Sequence, residues 1–339
     1  MDPTSSLPRG FLWGAVRAGI KASGRADLSA IVAPEMANAA ALYTTNKIQA
    51  APLIVDRRHL TASAGRIHTV LINSGNANCA TGEAGIAAAE QCCAAAADVF
   101  GCDPQTVLPS STGIIGVPLP VEKVRAALPA LREAVGGTTD HFTDVAAAMM
   151  TTDTRPKTAH ATMEIDGRPV RIAGLAKGAG MIHPQLAVAP HATMLAYLCT
   201  DVAANPALLQ RLLTDVAEAS FNRISIDGDT STNDTVLLLA SGASDASVTA
   251  DNAAFAQALT EVCISLAKQI VADAEGATHL VELNIGGAAS DADALRIAKA
   301  IAHSPLVKTA WAGSDPNWGR LIAATGYSGA QVDPARIAI

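Results

Sequence analysis

The chain has 339 residues, a formal net charge of −7 and a half-apolar composition in which aromatic residues make up only 3%. This length allows one large domain or two lobes with an ample core. The sequence has no basic run, which argues against nucleic-acid binding, and no uninterrupted apolar stretch of about 20 residues, which argues against a membrane span. Residues 1–9 lack an apolar secretory core, so we expect a flexible leader and a cytoplasmic protein.

The cysteines and histidines follow no metal-binding pattern. Neither CxxC nor HExxH spacing occurs, so we expect no metal site. We interpret the six cysteines as reduced core thiols: Cys79, Cys92, Cys93, Cys102, Cys199 and Cys263. No separate nucleotide-binding motif is visible either, and we expect no obligatory cofactor.

The first half of the chain predicts strands that lead into two helices. Strands are expected within 11–32 and over 39–43, 51–56 and 67–73. An alanine-rich helix follows over 83–100, ended by Gly101. A second helix over 121–134 begins after Pro120, and Pro129 would kink or split it.

The second half alternates helices and strands. A hairpin is predicted around Asp166-Gly167, and a helix begins at Asn205-Pro206 and runs to about residue 220. The remaining predicted elements are helices over 144–150, 253–274 and 290–303, and strands over 159–165, 168–173, 194–200, 235–240 and 279–285.

Three stretches between these elements carry polar chemistry. The first is Lys177-Gly-Ala-Gly-Met-Ile-His-Pro184, a constrained loop that precedes a strand with Thr193 at its start. The second is Ser110-Ser-Thr-Gly113, a turn whose donors suit a developing oxyanion, although an ordinary Ser/Thr turn has the same composition. The third is the acidic stretch 227–235, which lacks EF-hand spacing and is interpreted as a buried polar turn near the site, with a solvated turn as the alternative. His183 and His191 flank the central loop, and we assign both a structural or solvent-facing role rather than a catalytic one.

Ordered motifs over nearly the whole chain resemble one family. The motifs are 19–24 (GIKASG), 73–78 (NSGNAN), 111–116 (STGIIG), 150–157 (MTTDTRPK), 177–182 (KGAGMI), 192–195 (ATML), 231–235 (STNDT), 273–278 (DAEGAT), 304–309 (SPLVKT) and 313–320 (GSDPNWGR). Each motif is weak alone, but their number and order are similar to the glutamate N-acetyltransferase (ornithine acetyltransferase) family of arginine biosynthesis. The resemblance implies an α/β fold of layered sheets and helices, of the ornithine acetyltransferase/DmpA type and N-terminal-nucleophile-like.

The resemblance also implies a self-processing enzyme. Thr193 would attack the carbonyl of Ala192, giving an α chain of residues 1–192 and a β chain of residues 193–339 that form one intertwined unit. The freed threonine would then move the acetyl group of N2-acetylornithine to glutamate, and acetyl-CoA is a possible second donor. Thr112 and Gly113 occupy the family's oxyanion-hole positions. The substrate-binding positions, besides Thr193 itself, are Thr151, Lys177 and Glu275. The α and β chains are expected to stay associated as a heterotetramer or larger assembly.

Two departures from the family pattern leave alternatives open. Residues 185–191 lengthen the loop before Thr193, and an ungapped comparison would put Val188 at the nucleophile position. The family also continues beyond the position of Ile339 with an asparagine and a hydroxyl residue that line its substrate pocket, so a fragment or an incomplete pocket is expected here. The alternatives are therefore an uncleaved scaffold or binding protein, and a related threonine hydrolase in which water accepts the acyl group.

Overall fold

The fold is built from strands and helices that alternate along the chain. The structure is a computed structural model that describes residues 6–186, 194–249 and 251–339. The strands in this part are β1 (Leu12–Val16), β2 (Leu28–Tyr43), β3 (Arg66–Asn76), β4 (Val107–Ile114), β5 (Lys157–Ile165), β6 (Arg168–Lys177), β7 (Leu195–Thr200) and β8 (Thr235–Ala240). The α-helices are α1 (Ala51–Ala62), α2 (Gly82–Phe100), α3 (Val121–Ala134), α4 (Thr139–Ala148), α5 (Pro206–Ala219), α6 (Ala253–Ala272), α7 (Asp291–His303), α8 (Pro305–Ala312) and α9 (Trp318–Gly326).

All eight strands belong to one sheet whose order is β4-β3-β2-β8-β7-β6-β5, with β1 also paired to β2. The β3–β4 and β7–β8 pairs are parallel, and the remaining pairs are antiparallel. The long strand β2 joins the two halves: its first part pairs with β1 and β3, and its second part still pairs with β3 at Ala37 and Asn38 and then pairs with β8. A register shift between Val32 and Ala37, with Met36 at φ 64°, separates these two parts.

The two halves of the sheet share one buried face. Alternate residues point to opposite sides of a strand, and in β7 the side chains of Leu195 and Tyr197 join a cluster that also contains Val70 of β3 and Leu108 of β4. Strands from both halves therefore face each other across this cluster. Trp13 and Phe142 pack edge-to-face within it, with ring centroids 5.5 Å apart.

Helices cover the outer faces. On the half that contains β5–β8, the alternate residues such as Leu198 and Leu238 pack against α5 and α6. On the other half, Leu28 and Leu71 pack against α2 and α3. The result is a four-layer arrangement of helix, sheet, sheet and helix. By length and composition alone α6 is apolar enough to cross a membrane, but its inner side packs in the core of this fold.

Most of the predicted elements are present, and two predictions are wrong. Residues 51–56, predicted as a strand, form the start of helix α1, because an apolar run this short has no period that distinguishes strand from helix. Residues 279–285, also predicted as a strand, pair with no strand in the described part of the chain and are largely exposed. Alternating side chains make a strand only where a neighbouring strand accepts the backbone hydrogen bonds.

The confirmed elements include those with a local terminating signal. Gly101 ends α2 in the left-handed conformation at φ 74°, and Asn205 caps α5 by accepting a hydrogen bond from the Leu208 amide at 2.8 Å. Pro129 lies inside α3 without splitting it. Helix α4 is longer than predicted at its start, where the Thr138 side chain caps it.

Candidate active site

The end of strand β4 forms one wall of the candidate site. Thr112 is buried, and the next residue of the strand, Gly113, has a φ of 134°. A Cβ atom at Gly113 would lie 2.4 Å from the Gly75 carbonyl carbon, so only glycine allows β3 and β4 to approach this closely. The Ser111 hydroxyl donates a hydrogen bond to Asn73 Oδ1 at 2.6 Å and ties the two strand ends together.

Substituting Gly113 tests this close approach. We expect Gly113→Ala to lower the free energy of unfolding by about 2–4 kcal/mol, because it combines backbone strain with a steric clash. Gly116→Ala is the matched control, since Gly116 also has a positive φ, 82°, but has open space around its missing Cβ. A urea titration of both variants measures the effect, and equal losses would contradict a role for the close contact.

Lys177, the last residue of β6, brings three of the predicted site residues together. Its ammonium donates hydrogen bonds to Thr112 Oγ1 at 3.2 Å and to Thr151 Oγ1 at 2.9 Å. Only 4% of its side chain is exposed, so Lys177 is a buried cation and not a solvent-exposed lysine of a surface loop. Because each hydroxyl accepts from Lys177, its own proton remains available for another acceptor. The cluster therefore offers an ammonium and two hydroxyl donors in one place, which suits a carboxylate or an oxyanion.

A buried array of charges holds Lys177. Asp153 lies 4.0 Å from the Lys177 ammonium and accepts hydrogen bonds from the amides of Gly178 at 2.6 Å and Thr151 at 3.0 Å. Lys157 bridges Asp153 at 2.7 Å and Asp273 at 2.6 Å. We name Asp153, Lys157, Lys177 and Asp273 the buried charge array; it contains two cations and two anions.

The pKa shifts follow from this arrangement. Burial lowers the pKa of Lys177, while Asp153, Asp234 and Glu275 act in the opposite direction. Burial alone would raise the pKa of Asp153, but the charges of Lys177 and Lys157, with the hydrogen bonds from Lys157 and Gly178, outweigh it and lower this pKa to about 2. Asp153 is thus ionised at neutral pH and favours the charged form of Lys177.

Glu275 lies at the rim of the site. It is exposed and follows the end of α6, and its amide donates a hydrogen bond to the Ala179 carbonyl at 2.8 Å. A Cβ atom at Gly180 would lie 2.7 Å from Glu275 Oε1, so the carboxylate rests against the loop that follows Lys177. This position leaves the carboxylate open to a cationic group arriving from solvent.

The acidic stretch of residues 227–235, just before β8, borders the candidate site next to the end of β4. Residues 231–235 are buried, in agreement with the prediction of a buried polar turn over this part, whereas residues 227–230 are largely accessible. Asn233 donates hydrogen bonds to the carbonyls of Ala77 at 2.6 Å and Ser111 at 2.8 Å. The turn is therefore attached to the residue that precedes Thr112.

The predicted cleavage site, Ala192 and Thr193, lies outside the described residues, as does His191. The residue after Thr193 is described: the carbonyl of Met194 accepts a hydrogen bond from the Thr235 amide at 2.8 Å. Leu195 is in register with Lys177 on one side and with Thr235 on the other. Thr193 is thus bonded to a chain that runs between Lys177 and the buried polar turn.

Sequence reasoning did not identify the buried charge array. Its members were present in the quoted motifs, but no role was assigned to Asp153, Lys157 or Asp273. A local signal existed, since an acid and a lysine four residues apart flank Pro156 in a segment that is not helical. The partner Asp273 is 116 residues further along the chain than Lys157 and has no such local signal.

The remaining candidates take no part in this cluster. The rings of His183 and His303 meet edge-to-face at 4.2 Å, and burial, with the neighbouring His303 and Lys299, lowers the pKa of His183 to about 4. All the cysteines are free thiols, and all but Cys102 are buried. In the described ranges no group of histidine, cysteine and acidic side chains has the geometry of a metal site.

Comparison with solved structures defines the class of fold. The chain superimposes with a TM-score of 0.50 on an L-aminopeptidase D-Ala-esterase/amidase from Ochrobactrum anthropi, described as a variant of the Ntn hydrolase fold, at 15% identity over 88% of this chain and 94% of that one. The layered α/β architecture is thus that of an Ntn-hydrolase-like protein.

The family follows from closer relatives. Residues 12–339 match the model of the ArgJ family. The arginine biosynthesis bifunctional protein ArgJ of Geobacter sulfurreducens is 48% identical over 97% of this chain and 82% of its own length. The crystal structure of an arginine biosynthesis bifunctional protein ArgJ from Bacillus halodurans matches with 36% identity and a TM-score of 0.51, over 55% of this chain and 95% of that chain. The chain belongs to the ArgJ family.

Proposed function

We propose that this chain cleaves itself before Thr193 and then transfers the acetyl group of N2-acetylornithine to glutamate through an acetyl-threonine intermediate. Membership of the ArgJ family makes it an acetyl-transferring enzyme of arginine biosynthesis. The observation that carries the mechanism is the hydrogen-bonded cluster of Lys177, Thr112 and Thr151 beside the strand that begins just after Thr193.

The chemistry divides into two acyl transfers. In the first, the Thr193 hydroxyl attacks the carbonyl of Ala192, and the Ala192–Thr193 C–N bond breaks, which frees the α-amine of Thr193 and leaves the acyl group as an ester on its oxygen. Water then hydrolyses this ester, which separates the two chains and restores the threonine hydroxyl. An α-amine titrates near pH 8, so it can accept the proton of the neighbouring hydroxyl at physiological pH. In the second, that hydroxyl takes the acetyl group as ornithine leaves, and glutamate then removes it.

The described residues have matching roles. Thr112 and Gly113 would stabilise the oxyanion that forms at the acetyl carbonyl. Lys177, with Thr151, would bind the α-carboxylate that both amino-acid substrates carry. Glu275 would attract the side-chain amine of ornithine from its exposed position at the rim.

The sheet explains how two fragments would stay together. β6 precedes the proposed cut and β7 follows it, and the two are hydrogen-bonded from Ile172–Thr200 to Lys177–Leu195. β8 lies between β2 and β7, so residues before and after the cut are neighbours throughout the core. Assembly of αβ units into a heterotetramer, and a cytoplasmic location, are part of the same proposal.

The direct test is mass spectrometry of the purified protein before and after addition of N2-acetylornithine. We expect two fragments, the smaller beginning Thr-Met-Leu-Ala-Tyr, and a gain of one acetyl group on that fragment alone. Glutamate added next should remove the acetyl group and yield N-acetylglutamate.

Three other outcomes would contradict parts of the proposal. Acetate release without glutamate would indicate the threonine hydrolase. An uncut chain that binds amino acids without exchange would indicate the scaffold, and a fragment that begins at Val188 would move the nucleophile to the ungapped position.

The word bifunctional in the names of the relatives favours a second activity. We propose acetyl-CoA as an alternative donor to the same threonine, because acylation requires only an acyl carbonyl in the oxyanion hole. Incubation with acetyl-CoA should then label the same fragment, and labelling by N2-acetylornithine alone would limit the enzyme to the exchange reaction.

A further inference from the structure

Lys21 lies against the strand ends that carry the proposed oxyanion hole. It belongs to the loop between β1 and β2 and is partly buried. A Cβ atom at Gly75 would lie 2.9 Å from Lys21 Cγ, and a Cβ atom at Gly113 would lie 2.4 Å from the Gly75 carbonyl carbon. The lysine stem therefore crosses the backbone that packs directly against Gly113.

The ammonium of Lys21 reaches the end of α4, close to Thr151. It donates hydrogen bonds to the carbonyls of Ala148 at 2.8 Å and Ala26 at 3.2 Å. Ala148 is the last residue of α4, and the chain continues from it directly to Thr151, whose hydroxyl accepts from Lys177 at 2.9 Å. Lys21 and Lys177 thus contact opposite ends of one short segment. A lysine ammonium has three N–H donors, so a ligand can join these two carbonyls as a third acceptor.

A buried carboxylate holds the loop that carries Lys21. Asp27 is 1% exposed and accepts hydrogen bonds from three backbone amides, those of Ala18 at 2.6 Å, Ile20 at 2.5 Å and Lys21 at 2.7 Å. Its oxygens are therefore engaged with the backbone and do not form an ion pair with the lysine. The backbone at Lys21 is fixed by this support, as a residue that positions a ligand requires.

The charge of Lys21 is not neutralised by direct contact. Its ammonium bonds to neutral carbonyls, and none of the ion pairs in the described ranges includes it. Residues 187–193, which lie outside those ranges, contain no acidic residue that could pair with it. A partly buried cation without a bound anion is a favourable place for a ligand carboxylate.

The charges around Lys21 connect it to the candidate site. Burial lowers its pKa to about 8; Lys177 and Arg25 act in the same direction, whereas Asp27 and Asp153 oppose them. Lys21 is therefore mainly protonated at pH 7, and it lies close enough to Lys177 for the two ammonium groups to repel each other. An anion bound beside both lysines would relieve this repulsion.

The proposed exchange needs a place for a second carboxylate. Both amino acids carry an α-carboxylate, but the side chain of glutamate ends in a carboxylate and that of ornithine in an amine. Glu275 at the rim would attract the amine and repel the carboxylate. Lys157 is already bridged to two aspartates, and Lys177 is the proposed partner of the α-carboxylate. Among the lysines described around the site, this leaves Lys21 for the glutamate side chain.

We propose that Lys21 is a specificity-determining residue that binds the side-chain carboxylate of glutamate while Lys177 holds the α-carboxylate. This inference rests on the proposed function. The carboxylate accepts the third N–H of the Lys21 ammonium and neutralises its charge. N2-acetylornithine makes no such contact, because its side chain ends in an amine. Lys21 therefore acts in the half of the exchange in which glutamate removes the acetyl group.

The test is Lys21→Met, which keeps an unbranched side chain and removes the charge. We expect kcat/KM for glutamate as acetyl acceptor to fall about 10- to 100-fold, as for the loss of one hydrogen bond between charged groups. Acetylation of the enzyme by N2-acetylornithine, and transfer to glutamine, whose side chain is uncharged, should stay within a few-fold of the natural rates. The preference for glutamate over glutamine should therefore fall by the same factor as kcat/KM for glutamate.

Lys123→Met is the matched control. Lys123 also donates to a carbonyl of this loop, that of Gly19 at 2.6 Å, but it is exposed. We expect its removal to leave the kinetics with both acceptors unchanged.

The natural protein offers a second measurement that needs no variant. Because kcat/KM reports the protonation states of the free enzyme, the ratio of kcat/KM for glutamate to that for glutamine should fall as the pH rises through about 8, where Lys21 loses its proton. Titration of the nucleophile and its base affects both acceptors alike and cancels in the ratio.

Three results would overturn the proposal and leave the proposed function intact. An equal fall for glutamate and glutamine in Lys21→Met would assign the lysine a structural role at the end of α4. A similar loss in Lys123→Met would attribute the effect to the loop. A ratio in the natural protein that does not change with pH would also contradict it, and this measurement decides the matter if Lys21→Met fails to fold. A natural protein that transfers no acetyl group to glutamate would instead overturn the proposed function itself.

Discussion

Replacing Thr193 by alanine is expected to leave a single uncut chain without acetyl-transfer activity. Alanine removes the hydroxyl that attacks Ala192, and without cleavage no α-amine is released to act as the base. Because both functions reside in one residue, we expect transfer to fall by about 10⁴-fold or more. Denaturing electrophoresis and the rate of N-acetylglutamate formation measure the two effects.

Two control variants give this experiment its specificity. Thr193→Ser keeps the hydroxyl and should still cut and transfer at a reduced rate. Thr162→Ala removes an exposed threonine of β5 and should behave like the natural protein. Cleavage at the same bond in Thr193→Ala would show that another residue is the nucleophile.

The second large effect is expected for Asp153→Asn, which breaks the buried charge array. The substitution leaves Lys177 without the carboxylate that lies 4.0 Å away and leaves Lys157 with Asp273 alone. Removing one partner from a buried ion pair typically costs about 3–5 kcal/mol, because the other charge remains buried. We expect the free energy of unfolding to fall by about 3 kcal/mol. We also expect a higher KM for both amino-acid substrates, since Lys177 loses the neighbouring carboxylate of Asp153.

A surface pair provides the matched control. Glu90 pairs with Arg58 at 2.9 Å, but both side chains are about half exposed. Glu90→Gln should cost less than about 1 kcal/mol, because water screens the pair. Urea unfolding of the two variants at neutral pH compares their free energies of unfolding. Similar losses in the two variants would mean that burial of the array adds nothing to the stability of the protein.

The pH dependence of stability gives the array a further signature. The pKa of Asp153 is lowered in the folded protein to about 2, below the ordinary value. Its stabilisation is therefore complete above about pH 4 and is lost as the pH falls towards 2, by about 2 kcal/mol for a shift of this size. The difference in unfolding free energy between the natural protein and Asp153→Asn should narrow over that range, and a constant difference would contradict the shift.

The sequence by itself determined the elements whose ends carry a local signal. Asp166-Gly167 defined the β5–β6 hairpin, Asn205-Pro206 began α5 and Gly101 ended α2, because each conformation depends on residues that are neighbours in the chain. Residues 51–56 and 279–285 were assigned wrongly, since a short apolar or alternating run becomes a helix or a strand only through what packs beside it.

The sequence also determined which residues could belong to a site, but the tertiary structure decided which of them meet. Thr112 and Thr151 precede Lys177 by 65 and 26 residues, and only the folded chain brings both hydroxyls to the ammonium. Local pattern could not predict that Lys157 pairs with Asp273, because charge pairing depends on distant parts of the chain. Only folding brings these side chains within hydrogen-bond distance of each other and into an interior of low dielectric constant. There their electrostatic interactions are stronger than in water, and the separate motif residues become one charged site.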